Sequence, residues 1–528
     1  LSMTAQPVLI NGKWRASSGA DSFQATNPAT KEQLSEVYPV SPWSEIEEAL
    51  TAAATAFKTV RSFSGSRFAD FLEAYAAEIE LRIDEIVEAA HQETAYPISP
   101  RLKDGEMVRT LDQLRQAANS ARSETWTLPT IDTKTNIRSM LGPIGPVAVF
   151  GPNNFPLAFN SISGGDFAAA IAAGNPVIAK GHSSHPRTTQ LFAEAAQNAC
   201  ETTGMPDGFI QLIYRTSHED GAKLVSHPLL GASGYTGSRH AGLVLKEAAD
   251  KGGNPIYLEL SSINPVFILP GALTERSAEI VDEFSASCLM GTGQFCTNPG
   301  LVVVKAGEQA ESFIAAVAEK FSNAPAGTLL GEGVERSLRA GIVAIQRTGA
   351  HIVTGNQPVD GDRCCYANTL LRATGKSFLE DPAGHQSEAF GNASLIVVAE
   401  TDEEMLRIAE HLEGNLTGCI YSATDNSDDA LYDKIGEELL QHVGRLLNDK
   451  MPTGVAVSRA MNHGGPYPAT GHPGFTAVGI PASLRRFGTL DCYDNVREHR
   501  LPTALQNNNP HDDLYRDIDG TMTIDDIA

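Results

Sequence analysis

The stretch Pro143-Ile-Gly-Pro-Val-Ala-Val-Phe150, followed at once by Gly151-Pro-Asn-Asn154-Phe-Pro156, predicts a buried strand running into a turn. The pattern recurs downstream. An Ala-rich helix is expected over 167–173, then a strand at Asn175-Pro-Val-Ile-Ala-Lys180, a helix over 186–203 and a strand at Phe209-Ile-Gln-Leu-Ile213. Gly234-Tyr-Thr236 reads as a strand end, 238–250 as a helix and Ile256-Tyr-Leu-Glu-Leu260 as a strand. Apolar strands alternating with helices at βαβ spacing predict an α/β fold: an open, mostly parallel sheet with helices on both faces.

Working outward, Asn11-Gly12 between Pro7-Val-Leu-Ile10 and Lys13-Trp14 signals a hairpin. Helical patterning covers 44–90 and 100–122, and the Thr-rich, polar 125–140 reads as an extended arm. A second alternating block runs from about 264 to 457. Gly- and Pro-rich loops follow, then a strand at Leu490-Asp-Cys-Tyr-Asp494 and a polar tail. No internal repeat or low-complexity tract interrupts the pattern.

At 528 residues the chain exceeds one core, so two or three packed units are expected. Its net charge of −24 argues against nucleic acid as a partner, because phosphate contacts need clustered Lys and Arg. No apolar run approaches the roughly 20 residues that span a bilayer. Leu1-Ser2 ahead of Met3 reads as a cloning remnant, and no secretory signal is apparent, so a cytoplasmic location is expected. Seven cysteines (Cys200, Cys288, Cys296, Cys364, Cys365, Cys419 and Cys492) show no CxxC pair, which disfavours a disulfide framework or a zinc site.

Four segments join a reactive side chain to small or rigid neighbours. Gly291-Thr-Gly-Gln-Phe-Cys296-Thr-Asn-Pro-Gly300 sets a cysteine on a loop, where a substrate can reach it. A helix start nearby would lower the thiol pKa and favour the nucleophilic thiolate; Cys288, in an apolar helical run, reads as inert. Asn154 on a strand-to-helix turn can donate to an oxyanion, although turn geometry alone also explains an Asn there. Glu259, in an apolar strand, is either a structural ion pair or a general base whose pKa burial raises. Ser387-Glu388-Ala-Phe390-Gly391 says little alone. Gly237-Ser238 open a helix whose N-terminus suits a pyrophosphate, and Gly242 would let that helix pack close. There is no GxGxxG at any strand–helix junction. His182, His185 and His463 lack acidic or cysteine partners at ligand spacing, so no metal is expected.

Together these segments resemble the aldehyde dehydrogenase superfamily over nearly the whole chain. Gly293-Gln-Phe-Cys296 is similar to its nucleophile loop, Pro152-Asn-Asn154-Phe-Pro156 to its oxyanion motif and Glu388-Ala-Phe390-Gly391 to the motif that reaches the nicotinamide ribose. Glu259-Leu-Ser-Ser262 is similar to the general-base motif, with Ser in place of both glycines. Lys180-Gly-His-Ser-Ser-His-Pro186, Phe295-Cys-Thr-Asn-Pro-Gly300, His463-Gly-Gly-Pro-Tyr-Pro-Ala469 and the 509–521 tail resemble one subgroup. It holds α-ketoglutaric semialdehyde (2,5-dioxopentanoate) dehydrogenases and some bacterial fatty aldehyde dehydrogenases. A Ser-Arg step often seen there is replaced by Thr470-Gly-His-Pro-Gly-Phe475, which leaves Arg459 as a candidate for a substrate carboxylate.

The resemblance implies a Rossmann-type NAD(P)-binding domain (1–123 and 143–259), an α/β catalytic domain (260–480), a β oligomerisation arm (124–142 and 481–503) and a tail (504–528). It implies a homodimer or homotetramer. Cys296 would form the thioester, with Asn154 binding the oxyanion and Glu259 activating water. NADP or NAD would be held by Lys180, Ser183, Arg215, Gly237, Ser238, Glu388 and Phe390. Ser183 stands where NAD-specific members tend to carry Glu, so NADP should be accepted. Phe155, Phe159 and Phe295 would line an apolar tunnel. The expected reaction is oxidation of α-ketoglutaric semialdehyde to 2-oxoglutarate. A fatty aldehyde is the nearer alternative and a non-catalytic relative the remoter one. Glu259 argues against a CoA-acylating enzyme.

Overall fold

In the computed structural model, which describes residues 4–359 and 361–527, five strands run parallel: Val147–Phe150, Val177–Lys180, Ile210–Ile213, Ala232–Thr236 and Ile256–Glu259. Leu1-Ser2-Met3 and Ala528 lie outside the described residues. The spatial order is 256–259, 232–236, 147–150, 177–180, 210–213, so the winding reverses between 147–150 and 232–236. Such a reversal opens a crevice at the carboxyl ends of the strands. The expected hairpin, Val8–Ile10 and Lys13–Arg15, extends the far edge antiparallel.

The strands are buried because helices cover them. Gly242 shows how closely: a Cβ there would stand 2.4 Å from Leu260 Cδ2 and 2.9 Å from Tyr235 Cε1, so any larger residue would have to displace these side chains for the helix Arg239–Gly252 to lie against its strand. The structure divides the 143–150 run. Pro143 ends the strand Ile137–Pro143 of another sheet, and the buried strand starts at Val147. Between them Gly145 adopts φ 119° and donates its N–H to Asn175 Oδ1. Prolines at 143 and 146 remove two ladder donors, which is why one apolar run serves two sheets.

The second block forms its own sheet, in the order His351–Thr354, Thr369–Thr374, Ala393–Ala399, Leu301–Lys305, Val266–Ile268, Asn415–Tyr421, Val443–Asn448. All neighbours are parallel except the first pair. The chain passes from Glu259 at the carboxyl end of the first sheet to Val266 at the start of the second. The carboxyl edge of one sheet therefore meets the amino edge of the other.

A third sheet pairs Gly488–Asp494 with Ile137–Pro143 over seven residues and continues through Thr130–Asp132. The tail, read apart from the arm in the sequence, joins this sheet. Arg516–Ile518 runs parallel to Thr130–Asp132, and Thr521–Thr523 closes the edge. Arg516 is fully buried, with its guanidinium donating to the carbonyls of Gln506, Asn507 and Asp525. The tail looks polar in sequence because its anchor is an arginine whose two terminal nitrogens are met by backbone carbonyls.

Candidate active site

Each parallel strand of the first sheet delivers one candidate residue at its carboxyl end. Phe150 pairs with Lys180 and with Tyr235, and Thr236 pairs with Glu259. Asn154, Lys180, Gly237 and Glu259 thus leave the same edge.

Cys296 lies in a turn between the 3-10 turn Met290–Gly293 and the strand Leu301–Lys305, partly exposed. Asn264 holds the loop from beneath: at φ 51° its Nδ2 donates to the carbonyls of Cys296 and Asn298, both at 2.9 Å. Asn415 Oδ1 fixes Asn264 in turn by accepting the backbone N–H groups of Ile263 and Asn264. Gly293, at φ 68°, comes so near the 388–391 turn that a Cβ would stand 2.1 Å from the Gly391 carbonyl oxygen. That contact presses the cysteine loop against Glu388-Ala-Phe390-Gly391.

The segment 463–470 pairs back on the end of the Glu259 strand, where Leu260 N donates to Ala469 O at 2.8 Å. This brings His463 onto the site. Its Nε2 stands 2.8 Å from Glu259 Oε1 and 3.4 Å from Cys296 Sγ. Burial pushes the Glu259 carboxyl up, but His463 and the Cys296 thiol outweigh it, and the net shift is downward. The rise expected from burial alone is therefore reversed. Burial, followed by the Glu259 charge, drives the Cys296 thiol well above its ordinary value, with Arg109 opposing. No helix begins at Cys296, so the lowering expected from a helix start is absent. The resting site is a thiol beside an ionised, imidazole-bridged carboxylate.

Glu259 Oε2 is buried without a partner and adjoins a small cavity of mixed lining, with Asp166, Thr236, His463, Thr470 and Arg486 on its polar side and Tyr257, Leu258 and Phe475 on its apolar side. A buried, unpartnered polar atom facing a space that other polar side chains also border is a place for water. Asn154 is buried, and its Nδ2 donates to Gln294 O at 3.0 Å, which leaves its second N–H. The three side-chain atoms of Glu259, Cys296 and His463 lie within 4.8 Å of one another. The acid and thiol partners that linear spacing did not offer His463 are supplied by the fold.

A second small cavity is lined by Ser262, Phe295, Asn298, Glu388 and Phe390. Ser262 N donates to Glu388 Oε1 at 3.3 Å. Ser238 caps the helix Arg239–Gly252 by accepting from Ala241 N, and Gly237 precedes it. Burial, then the Arg215 charge, lowers Lys180 to about 8. Neither cation forms an ion pair among the described residues, and Ser183 sits in the loop just beyond Lys180. Uncompensated positive charge beside a helix start and a cleft suits the phosphates and ribose of a dinucleotide.

The residues 14–458 match the aldehyde dehydrogenase family. The chain belongs to the aldehyde dehydrogenase family. It is an NAD(P)-dependent oxidoreductase acting on aldehydes. It is similar to alpha-ketoglutaric semialdehyde dehydrogenase 2 of Azospirillum brasilense, with 38% identity over 95% of this chain and 97% of that one. It is also similar to the alpha-ketoglutaric semialdehyde dehydrogenase of Acinetobacter baylyi, with 34% identity over 97% and 98%. The fold matches an aldehyde dehydrogenase from Bacillus cereus solved as its NAD+ complex, with TM-score 0.80, 19% identity, and 93% and 96% coverage.

Within this aldehyde dehydrogenase, Phe155, Phe159 and Phe295 do cluster, with ring centroids 5.2 and 5.3 Å apart. Arg101 lies over the Phe155 and Phe295 faces at 4.5 and 4.8 Å, so a cation borders the apolar cluster. Arg101 is paired with buried Glu106 at 3.3 Å and donates to Asn154 O. Arg459 is exposed and hydrogen-bonded to none of these residues. Arg109, from the first turn of the helix Val108–Ser123, stands 5.3 Å over the Phe159 ring, and its charge and that of Arg445 both act on Cys296. Sequence reading missed Arg101, Arg109, Asn264 and Asn415, whose roles depend on contacts between distant segments. Glu106, an acid buried in a helix, had no local signal either.

Proposed function

We propose that this aldehyde dehydrogenase oxidises α-ketoglutaric semialdehyde to 2-oxoglutarate through a thioester on Cys296. The chemistry is carried by one observation, the hydrogen-bonded run Cys296–His463–Glu259 at the meeting of two sheet edges. The substrate is supported by near-full-length likeness to two semialdehyde dehydrogenases.

In this reading Glu259, which hydrogen-bonds the Cys296 thiol and is held by His463 Nε2, takes the thiol proton, and Sγ attacks the aldehyde carbon. The second N–H of Asn154 and the Cys296 backbone N–H stabilise the oxyanion, each donor contributing about 3 kcal/mol. NAD(P)+, when bound, accepts the hydride. Glu259, once it has released that proton to solvent through the adjoining cavity, is ionised again and takes a proton from water to hydrolyse the thioester. Lys180, Ser183, Arg215, Gly237 and Ser238 hold the adenosine phosphate side, and Glu388 and Phe390 the nicotinamide ribose side. The Lys180–Arg215 charge supports acceptance of NADP.

The parts 1–123 with 143–259, and 260–480, act as cofactor and catalytic domains, and the arm mediates a homodimer or homotetramer. The strand Gly488–Asp494 is an open edge with Leu490 67% exposed, a surface that another copy would cover. No helix among the described residues is long and apolar enough to cross a membrane; a cytoplasmic location remains part of the proposal.

The aromatic cluster favours a second substrate, a medium- or long-chain fatty aldehyde. Measuring kcat/KM for 2,5-dioxopentanoate and decanal, each with NAD and NADP, separates the two. A preference for the dioxo acid is expected, and a preference for decanal overturns the assignment.

A further inference from the structure

Among the arginines around the cysteine, Arg109 differs in what it leaves unmade. Its Nη1 donates to Val455 O at 2.7 Å, but Nε and Nη2 are buried without a partner. It forms no ion pair among the described residues. Arg101 is neutralised by Glu106, and Arg445 spends its donors on the carbonyls of Pro452 and Gly454. Nε and Nη2 are the two nitrogens on one edge of the guanidinium, whose parallel N–H bonds match a carboxylate in bidentate fashion. The guanidinium stands 5.3 Å over the Phe159 ring, and Phe159 packs 6.0 Å from His463. His463 in turn touches Cys296. A buried, unpaired cation beside a thiol is costly, and a neutral alkyl chain would leave it so.

We propose that Arg109 receives the carboxylate of the substrate and selects aldehydes with an anionic tail over neutral ones; this rests on the semialdehyde reading above. The vacant Nε/Nη2 edge takes the carboxylate while Phe159 walls the chain between it and Cys296. Selectivity comes mainly from the ground state, because the carboxylate is remote from the bond that changes. Loss of Arg109 therefore acts chiefly on KM.

The test compares wild type, Arg109→Met and Arg109→Lys with 2,5-dioxopentanoate and with pentanal, a neutral aldehyde of equal length, at saturating NADP. Glutarate is added as an inhibitor probe. Arg109→Met should lose at least tenfold more kcat/KM for the dioxo acid than for pentanal, mostly in KM, and glutarate inhibition should fall in parallel. Arg109→Lys keeps a donor for Val455 and a charge but not the fork. It should recover part of the ratio, and it decides the matter if the Met protein does not fold. Equal losses for both substrates, with glutarate inhibition unchanged, overturn the proposal. If wild type prefers neutral aldehydes, the semialdehyde reading fails. The anion site then stands if glutarate inhibits wild type and not the variants, and falls if glutarate inhibits none of them.

Discussion

His463 Nε2 stands 2.8 Å from Glu259 Oε1, with both side chains buried, and this pair fixes the protonation state of the site. Glu259 is held below its ordinary range only because His463 and the thiol outweigh its burial. A depressed carboxylate contributes stability above its unfolded pKa and loses it as pH falls through the folded value. Ionised Glu259 is therefore ready as a base across neutral pH. In His463→Asn burial should win, the carboxyl should rise, and the acidic limb of the kcat profile should move to higher pH. Turnover at pH 7 should fall about 100-fold, the lower range for loss of a general base. An acidic limb that stays in place would show that His463 has no hold on Glu259.

The same cluster predicts opposite effects on two assays. Glu259 is, after burial, the main reason that the Cys296 thiol is raised. Glu259→Gln removes that charge, so more thiolate is present at pH 7–8 and iodoacetamide should label Cys296 faster than in wild type. Aldehyde turnover in the same protein should fall by about 10²- to 10⁴-fold, because the water-activating base is gone. Slower labelling would mean that Glu259 assists thiolate formation more than its charge opposes it.

Gly293 ties the cysteine loop to the 388–391 turn. An alanine there meets the Gly391 carbonyl at 2.1 Å and also has to adopt φ 68°. Backbone strain of about 1–3 kcal/mol is expected, and the loop must shift away from its neighbour. Since misplacement by 1 Å costs roughly 100-fold in rate, Gly293→Ala should lose activity of that order while its melting temperature falls by only a few degrees. Full activity would mean that the loop has slack the close approach does not suggest.

The first sheet was legible because most of its strands are apolar runs closed by Gly and Pro; the break at Gly145, where two prolines share one run, escaped, and of Ala232–Thr236, with its Ser and Gly, only the end was read. Cys296, Glu259, Asn154 and Glu388 were read as candidates because their short motifs together resemble the family's, and the structure gathers Glu259 and Cys296 around His463, with Asn154 Nδ2 bonded to the Gln294 carbonyl of the cysteine loop. His463 was noticed, but as an isolated histidine. Its partners lie 167 and 204 residues away, and only the pairing of Leu260 with Ala469 unites them. Arg109 and Asn264 carry no local pattern, because their meaning is a hydrogen bond made, or left unmade, across the chain. The tail misled by composition: Arg516 reads as solvated until three carbonyls surround it.

Lys180 offers a prediction in pH. Burial, and then Arg215, bring it to about 8, and the two cations have no carboxylate partner among the described residues. A bound 2′-phosphate would favour the protonated amine, so NADP should bind well below pH 8 and its KM should climb as pH rises through that value. NAD lacks the phosphate and should show a shallower climb. Arg215→Ala removes the neighbouring charge that depresses Lys180, so the rise in KM should begin at higher pH. Affinity for NADP should nevertheless weaken by about tenfold through loss of one charge-assisted contact. Profiles for NAD and NADP that rise together would place the 2′-phosphate away from this pair.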